Sequence, residues 1–166
     1  ITSIEGTFEQ ITALYGSTGV SGLGDKNITI EGALTVEEAN IIDALTEGTV
    51  SGTISSTERV SSLIGLTGNN AYQITISEED ALTTALDLNT INSKTTGLVD
   101  LVNLTDLAPS SLSDLQIFAD AIGDGEFINP IGLDSISIND NILNVSELIG
   151  AIETSNTLQE NLNSSS

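Results

Sequence analysis

Residues 35–50 read TVEEANIIDALTEGTV and residues 84–99 read TALDLNTINSKTTGLV. At an offset of 49, Thr35 falls on Thr84, Asn40 on Asn89, Ile42 on Ile91, Thr46 on Thr95, Gly48 on Gly97 and Val50 on Val99. The same offset lays Glu9 on Glu58, Leu14 on Leu63, Gly16 on Gly65, Thr18 on Thr67 and Gly19 on Gly68. A fixed internal period is the mark of a stacked supersecondary unit, and stacked units serve as struts or binding surfaces more readily than as catalysts.

Working outward from that stretch, short alternating β-branched segments recur. Residues 27–31, 73–77 and 135–139 (NITIE, QITIS, SISIN) each read as a strand with one buried face. Residues 2–5, 50–54 and 98–102 form a less regular second series. Helical patterns lie between them, with apolar residues three or four apart. One is Phe8, Ile11, Leu14 and Tyr15, matched by Val60, Leu63 and Ile64 and by Leu115, Phe118, Ala121 and Ile122. The other is Val36, Ala39, Ile42 and Leu45, matched by Leu86 and Ile91 and by Val145, Leu148, Ile149 and Ile152.

Capping boxes mark the helix starts: Thr7 with Gln10, Thr35 with Glu38, Ser55 with Glu58, Ser111 with Asp114 and Asn144 with Glu147. The first side chain accepts from a free N–H and the later one reaches back. Gly16, Gly48, Gly65, Gly97 and Gly123 stand where a left-handed residue would end each helix. The expected unit is therefore strand–helix–strand–helix. It forms one repeat domain over residues 1–160 (repeats about 1–48, 49–97 and 98–160), with a polar tail at 161–166. Alternating strands and helices imply parallel pairing. The expected fold class is α/β, a βα-repeat solenoid with a parallel sheet; a compact α/β sandwich is the alternative.

Composition narrows the function. Three basic residues (Lys26, Arg59, Lys94) against 24 acidic ones give a net charge of −21, which excludes nucleic acid as a partner, because binding it requires neutralising phosphates. A 39% hydrophobic fraction with only 3% aromatics points to a layered aliphatic core. Without Cys, His, Met or Trp, thiolate and imidazole chemistry is ruled out, and with it most metal-ligand sets and nucleophile–base pairs. No apolar run approaches the roughly 20 residues of a membrane span, so no membrane insertion is expected. The Ser/Thr/Asn/Asp/Gly bias leans towards an exported bacterial or viral protein. A chain opening at Ile1 is expected to be a processed product or part of something longer.

Candidate chemistry is sparse. The loop Gly19-Val20-Ser21-Gly22-Leu23-Gly24 is glycine-rich, but it leads into a strand rather than a helix and lacks a following Lys-Ser/Thr, so a turn is expected. Asp120, Asp124, Glu126 and Asp134 form an acidic run that calcium would suit. Neither EF-hand spacing nor a calcium-binding nonapeptide is present, so solvated loop acids are expected. A carboxylate pair for glycoside hydrolysis has the residue types, yet few aromatics remain to stack on sugars. Arg59 and Lys94 read as solvated charges on helices. Asn40 with Asn89, and Thr46 with Thr95, read as ladders satisfying backbone at each turn. Asn27, Asn103 and Asn144 satisfy the glycosylation pattern at a frequency close to chance. No catalytic, cofactor-binding or metal residue is assigned, and no cofactor is expected.

Residues 4–7 (IEGT), the turn at 19–24, residues 39–46 (ANIIDALT) and residues 70–76 (NAYQITI) resemble tandem repeats of giant cyanobacterial and other bacterial surface proteins and of cyanophage structural proteins. Residues 111–115 through 119–124, with Phe127, look like a segment of phage tail-fibre proteins, departing from it at Gly125-Glu126. The resemblance implies a non-enzymatic, extracellular or cell-surface role as a structural module of a fibre or adhesin. Its alternative is a virion component such as a tail fibre or appendage subunit; a polysaccharide-active enzyme is the third reading. The implied partners are other copies or neighbouring repeats of the same fibre, in a chain that could form a homo-oligomer.

Overall fold

The computed structural model describes residues 2–77, 83–130, 137–139, 150, 153, 154, 156, 157, 159 and 160. In chain order the elements are β1 (Ser3–Gly6), α1 (Phe8–Tyr15), β2 (Asn27–Leu34), α2 (Val36–Asp43), β3 (Val50–Ile54), α3 (Val60–Leu63), β4 (Ala71–Thr75), α4 (Ala85–Asn92), β5 (Val99–Asp100), α5 (Leu112–Gly123) and β6 (Phe127–Ile128). The protein is α/β, and its six strands form one all-parallel sheet in the order β1-β2-β3-β4-β5-β6. Each strand lies beside its predecessor in sequence.

Alternation in the strands sets up a two-sided sheet. Ile28, Ile30 and Leu34 of β2 are buried, while Asn27, Thr29 and Glu31 are exposed. In β4, Tyr72 and Ile74 are buried and Gln73 is exposed. Parallel sheets are ordinarily covered on both faces; here Ser3, Glu5, Thr29, Thr53 and Gln73 leave the second face of β1–β4 polar and wet. The buried face and the helices share one cluster that includes Ile28, Val36, Ile42, Val50, Leu63, Tyr72, Ile74, Leu88, Ile91, Val99 and Phe118. Ile28 and Ile74 thus lie in one interior, on parallel strands, as the alternation predicts. Ile136, the third member of that expected set, lies outside the described residues, as do Asn144 with Glu147, Val145, Leu148, Ile149 and Ile152.

Several local expectations are corrected. The glycines at 16, 48, 65, 97 and 123 adopt no left-handed conformation; helices end on right-handed caps at Gly16, Ala44, Ile64, Ser93 and Asp124. Gly48 and Gly97 are required for a different reason. A Cβ on Gly48 would collide with the Lys26 carbonyl, and one on Gly97 with the Tyr72 carbonyl, because each loop crosses the start of the neighbouring strand in backbone contact. The positive-φ glycine at the turn ahead of β4 is instead Gly68 (φ 70°). Gly32 (φ 91°) sits in β2, where the register against β3 shifts between Thr29 and Ala33.

Ser55 and Glu58 form no capping box. Ser55 Oγ bonds Thr57 Oγ1, Glu58 Oε1 accepts from Val36 N–H at 3.4 Å, and α3 starts only after Arg59, without a side-chain cap. A full box stands at Thr84 with Asp87, which the sequence reading missed. The boxes at Thr7 and Thr35 form as expected, and Ser111 accepts from Asp114 N–H. In α4 the buried positions are Ala85, Leu88 and Ile91; Leu86 is exposed. β4 starts two residues before the expected span, at Ala71. β6 was not expected at all: Phe127 packs edge-on against Phe118 of α5, ring centroids 5.0 Å apart, and joins the sheet beside β5. Of residues 135–139, Ile138 makes a parallel bridge to Ser110.

Candidate functional site

The repeated polar residues converge between successive βα units. Asn40, midway along α2, donates Nδ2 to the Gly65 carbonyl at 2.9 Å, and its Oδ1 accepts from Thr67 N–H at 2.9 Å. Forty-nine residues on, Asn89 of α4 donates Nδ2 to the Asp114 carbonyl at 2.9 Å. Thr46 Oγ1 donates to the Lys26 carbonyl at 2.6 Å and accepts from Gly48 N–H at 3.0 Å. Thr95 Oγ1 likewise reaches the Tyr72 carbonyl at 2.7 Å and accepts from Gly97 N–H at 2.9 Å. These are the ladders the period implies: each satisfies backbone groups of the adjacent coil.

The copies are not equal. Asn40 Oδ1 is satisfied because Thr67 lies in a turn with a free N–H. At the matching place Gln116 lies inside α5, where its N–H is committed to the helix. Asn89 Oδ1 is accordingly buried without a partner.

A second network escaped the sequence reading. Asp43 accepts from Asn70 Nδ2 at 2.7 Å and from Thr67 Oγ1 at 2.8 Å; Asn70 Oδ1 accepts from Val50 N–H at 2.8 Å. Asn70 is buried, and its place one repeat earlier is taken by Ser21, so periodicity could not flag it. Nearby, the buried Tyr72 hydroxyl donates to the Ala39 carbonyl at 3.3 Å. Burial, and then the negative charge of Asp43, push its acidity weaker than that of an ordinary tyrosine.

The remaining candidates do not assemble. In the glycine-rich loop Gly19 N–H is taken by Ser17 Oγ at 3.3 Å, Leu23 O accepts from Tyr15 Oη at 2.8 Å and Gly24 O from Glu47 N–H at 2.7 Å. Such a loop is a turn into β2 rather than a cradle of amides for phosphate. Asp120 and Asp124 are exposed at the end of α5, and exposed Glu126 accepts from Asn92 Nδ2 at 2.6 Å. Asp134 lies outside the described residues. Among the described residues no three acids converge on a point that could hold a metal ion. Arg59 stands just before α3 and Lys94 just after α4, not on helices as expected. Lys26 pairs with Asp25, which holds that exposed carboxyl below its usual range. Asn27 Oδ1 accepts from Thr49 N–H at 3.0 Å and Asn103 Nδ2 donates to the Ile76 carbonyl at 3.1 Å, so both described glycosylation-pattern asparagines serve the backbone. Asn144 is outside the described residues.

One open groove of about 740 Å³ runs along α2 and α3, lined by Val36, Ile41, Ala44, Asn40, Glu37 and Glu58 among others. Glu58 matches Glu9 one period earlier but Leu107 one period later, which is buried in the core, so the groove's lining does not carry through the repeat. Among the described strands the sequential order also leaves no reversal point, the place where open α/β sheets hold ligands.

No family model, curated protein or solved structure matches the chain. Its geometry alone therefore bears on function, and that geometry spends its recurrent polar groups on joining one βα unit to the next.

Proposed function

We propose that this chain is a non-enzymatic structural repeat module of an extracellular surface fibre or adhesin, a βα solenoid that supplies length and exposure. The observation that carries this reading is the recurrence, 49 residues apart, of the Asn40/Asn89 and Thr46–Gly48/Thr95–Gly97 interlocks between neighbouring coils. A polar group locked to the repeat's own geometry is spent on propagation, whereas a catalytic group would be placed once. The wet polar face of the sheet and the net charge of −21 support an exposed location in a salty medium, where like charges are screened.

Two measurements test it. Light scattering on the purified chain should return one protomer's mass; a trimer would instead favour the virion-fibre alternative. A polysaccharide-degradation screen should find no turnover. Turnover abolished by replacing a single acid would refute the structural reading.

A further inference from the structure

We infer that the β1/α1 end of the stack is an acceptor for a further βα coil of the same repeat. Its strand would lie parallel to β1, and its helix would carry an asparagine in the place Asn40 holds on α2. The occupant rests on the repeat-module reading; the acceptor rests on three observations.

First, the turn after α1 matches in sequence the turn that Asn40 clamps and opens on the equivalent bond, Ser17 N–H to Leu14 O as Leu66 N–H to Leu63 O, although Gly19 lacks the positive φ of Gly68. Gly16, Thr18 and Gly19 match Gly65, Thr67 and Gly68, yet only the second set is bonded by a neighbouring helix, through Gly65 O and Thr67 N–H. Among the described residues the Thr18 N–H has no protein partner.

Second, apolar groups at this end are incompletely covered. Leu63 is 0% exposed, and its counterpart Leu14 is half-buried. Phe8 is half-buried too. Ends of stacked repeats that face water carry polar caps; this one leaves Phe8 and Leu14 only partly buried.

Third, β1 is paired on one side only among the described strands, so alternate N–H and C=O groups face outwards. Strand edge, core residues and helix turn all lack the same neighbour, and α2 with β2 shows how such a neighbour docks on the next coil. A coil with Asn at the α2 position satisfies all three together.

The test uses the intact chain with residues 1–49 duplicated ahead of it, which sets Ile1 in the place of Val50 and keeps the period. In the native chain, amide exchange at Thr18 should match an unprotected turn, while exchange at Thr67 is slowed. In the extended chain, Thr18 exchange should slow by about tenfold or more, and unfolding should stay a single transition with a raised midpoint. Asn40→Ala in the added copy alone should return Thr18 to its native rate. Unchanged Thr18 exchange, or a separate transition for the added segment, overturns the inference. So does a native Thr18 already as protected as Thr67. These outcomes are separable from the functional reading: an inert, monomeric chain with unchanged Thr18 loses the acceptor end only, whereas catalytic turnover loses the strut while Thr18 can still gain protection.

Discussion

Replacing Asn40 and Asn89 separately by alanine should give unequal losses, although the two occupy equivalent places in the repeat. Asn40 makes two well-formed amide bonds, to Gly65 O and from Thr67 N–H, each worth about 1 kcal/mol net. Alanine gains back roughly 0.5 kcal/mol of helix propensity at this mid-helix position, leaving a loss of about 1–1.5 kcal/mol. Asn89 makes one bond, to Asp114 O, and buries an acceptor with no partner. Removing it forfeits about 1 kcal/mol but relieves a desolvation penalty of about 1–3 kcal/mol, with the same propensity gain. Asn89→Ala should therefore be neutral or stabilising. Urea unfolding measures this directly: with a slope of about 2 kcal/mol/M for a chain of this size, the two midpoints should differ by about 1–2 M. Since the propensity gain is common to both variants, it cancels in the comparison. Equal losses, or a larger loss at Asn89, would refute the account of the two clamps.

Gly48→Ala and Gly97→Ala should each cost about 3 kcal/mol or more, since the new methyl meets a strand carbonyl that cannot yield; Gly24→Ala, with open space around it, should stay within about 0.5 kcal/mol by chemical denaturation. Thr35→Ala and Thr84→Ala should each cost about 1 kcal/mol through lost caps, and Ser55→Ala should cost less than about 0.5 kcal/mol because Ser55 caps no helix. Tyr72 holds its proton more tightly folded than unfolded, so its stabilising share is intact below the ordinary tyrosine value of about 10 and is lost as pH rises beyond it. Tyr72→Phe should cost about 1 kcal/mol at neutral pH and flatten the decline of thermal midpoint above that pH; an unchanged slope would contradict the assigned burial.

Much of the fold was legible in the sequence because the two periodicities act independently. Alternation in residues 27–31 and spacing in residues 36–42 each survive whatever lies opposite them, so strand and helix were readable from local pattern. The glycine stops misled because glycine answers two different demands, positive φ and close approach, and sequence alone does not separate them. Gly48 and Gly97 answer the second, which exists only once the loop lies across its neighbouring strand. The Ser55 box failed for a similar reason: Glu58 is drawn to Val36 N–H, 22 residues away, and the cap loses its partner. β6 was hidden because two residues carry no period. It is held in place by Phe118 and by pairing with Val99 and Asp100, and both are tertiary facts.

The candidate site was legible in half its residues. Asn40, Asn89, Thr46 and Thr95 stood out because they recur, and they recur because each successive coil meets the same backbone geometry. Asp43 and Asn70 recur nowhere at the period: Asp43 maps onto Asn92, whose amide bonds Glu126 instead, and Ser21 maps onto Asn70. Yet they make some of the shortest polar contacts between coils. Self-comparison therefore finds the polar groups that recur between βα units and misses those that adjust one junction. The same asymmetry explains why the functional assignment rests on what recurs. A ligand site placed once would have to be found among the departures, such as the groove at Glu58, whose counterpart one period later, Leu107, is buried.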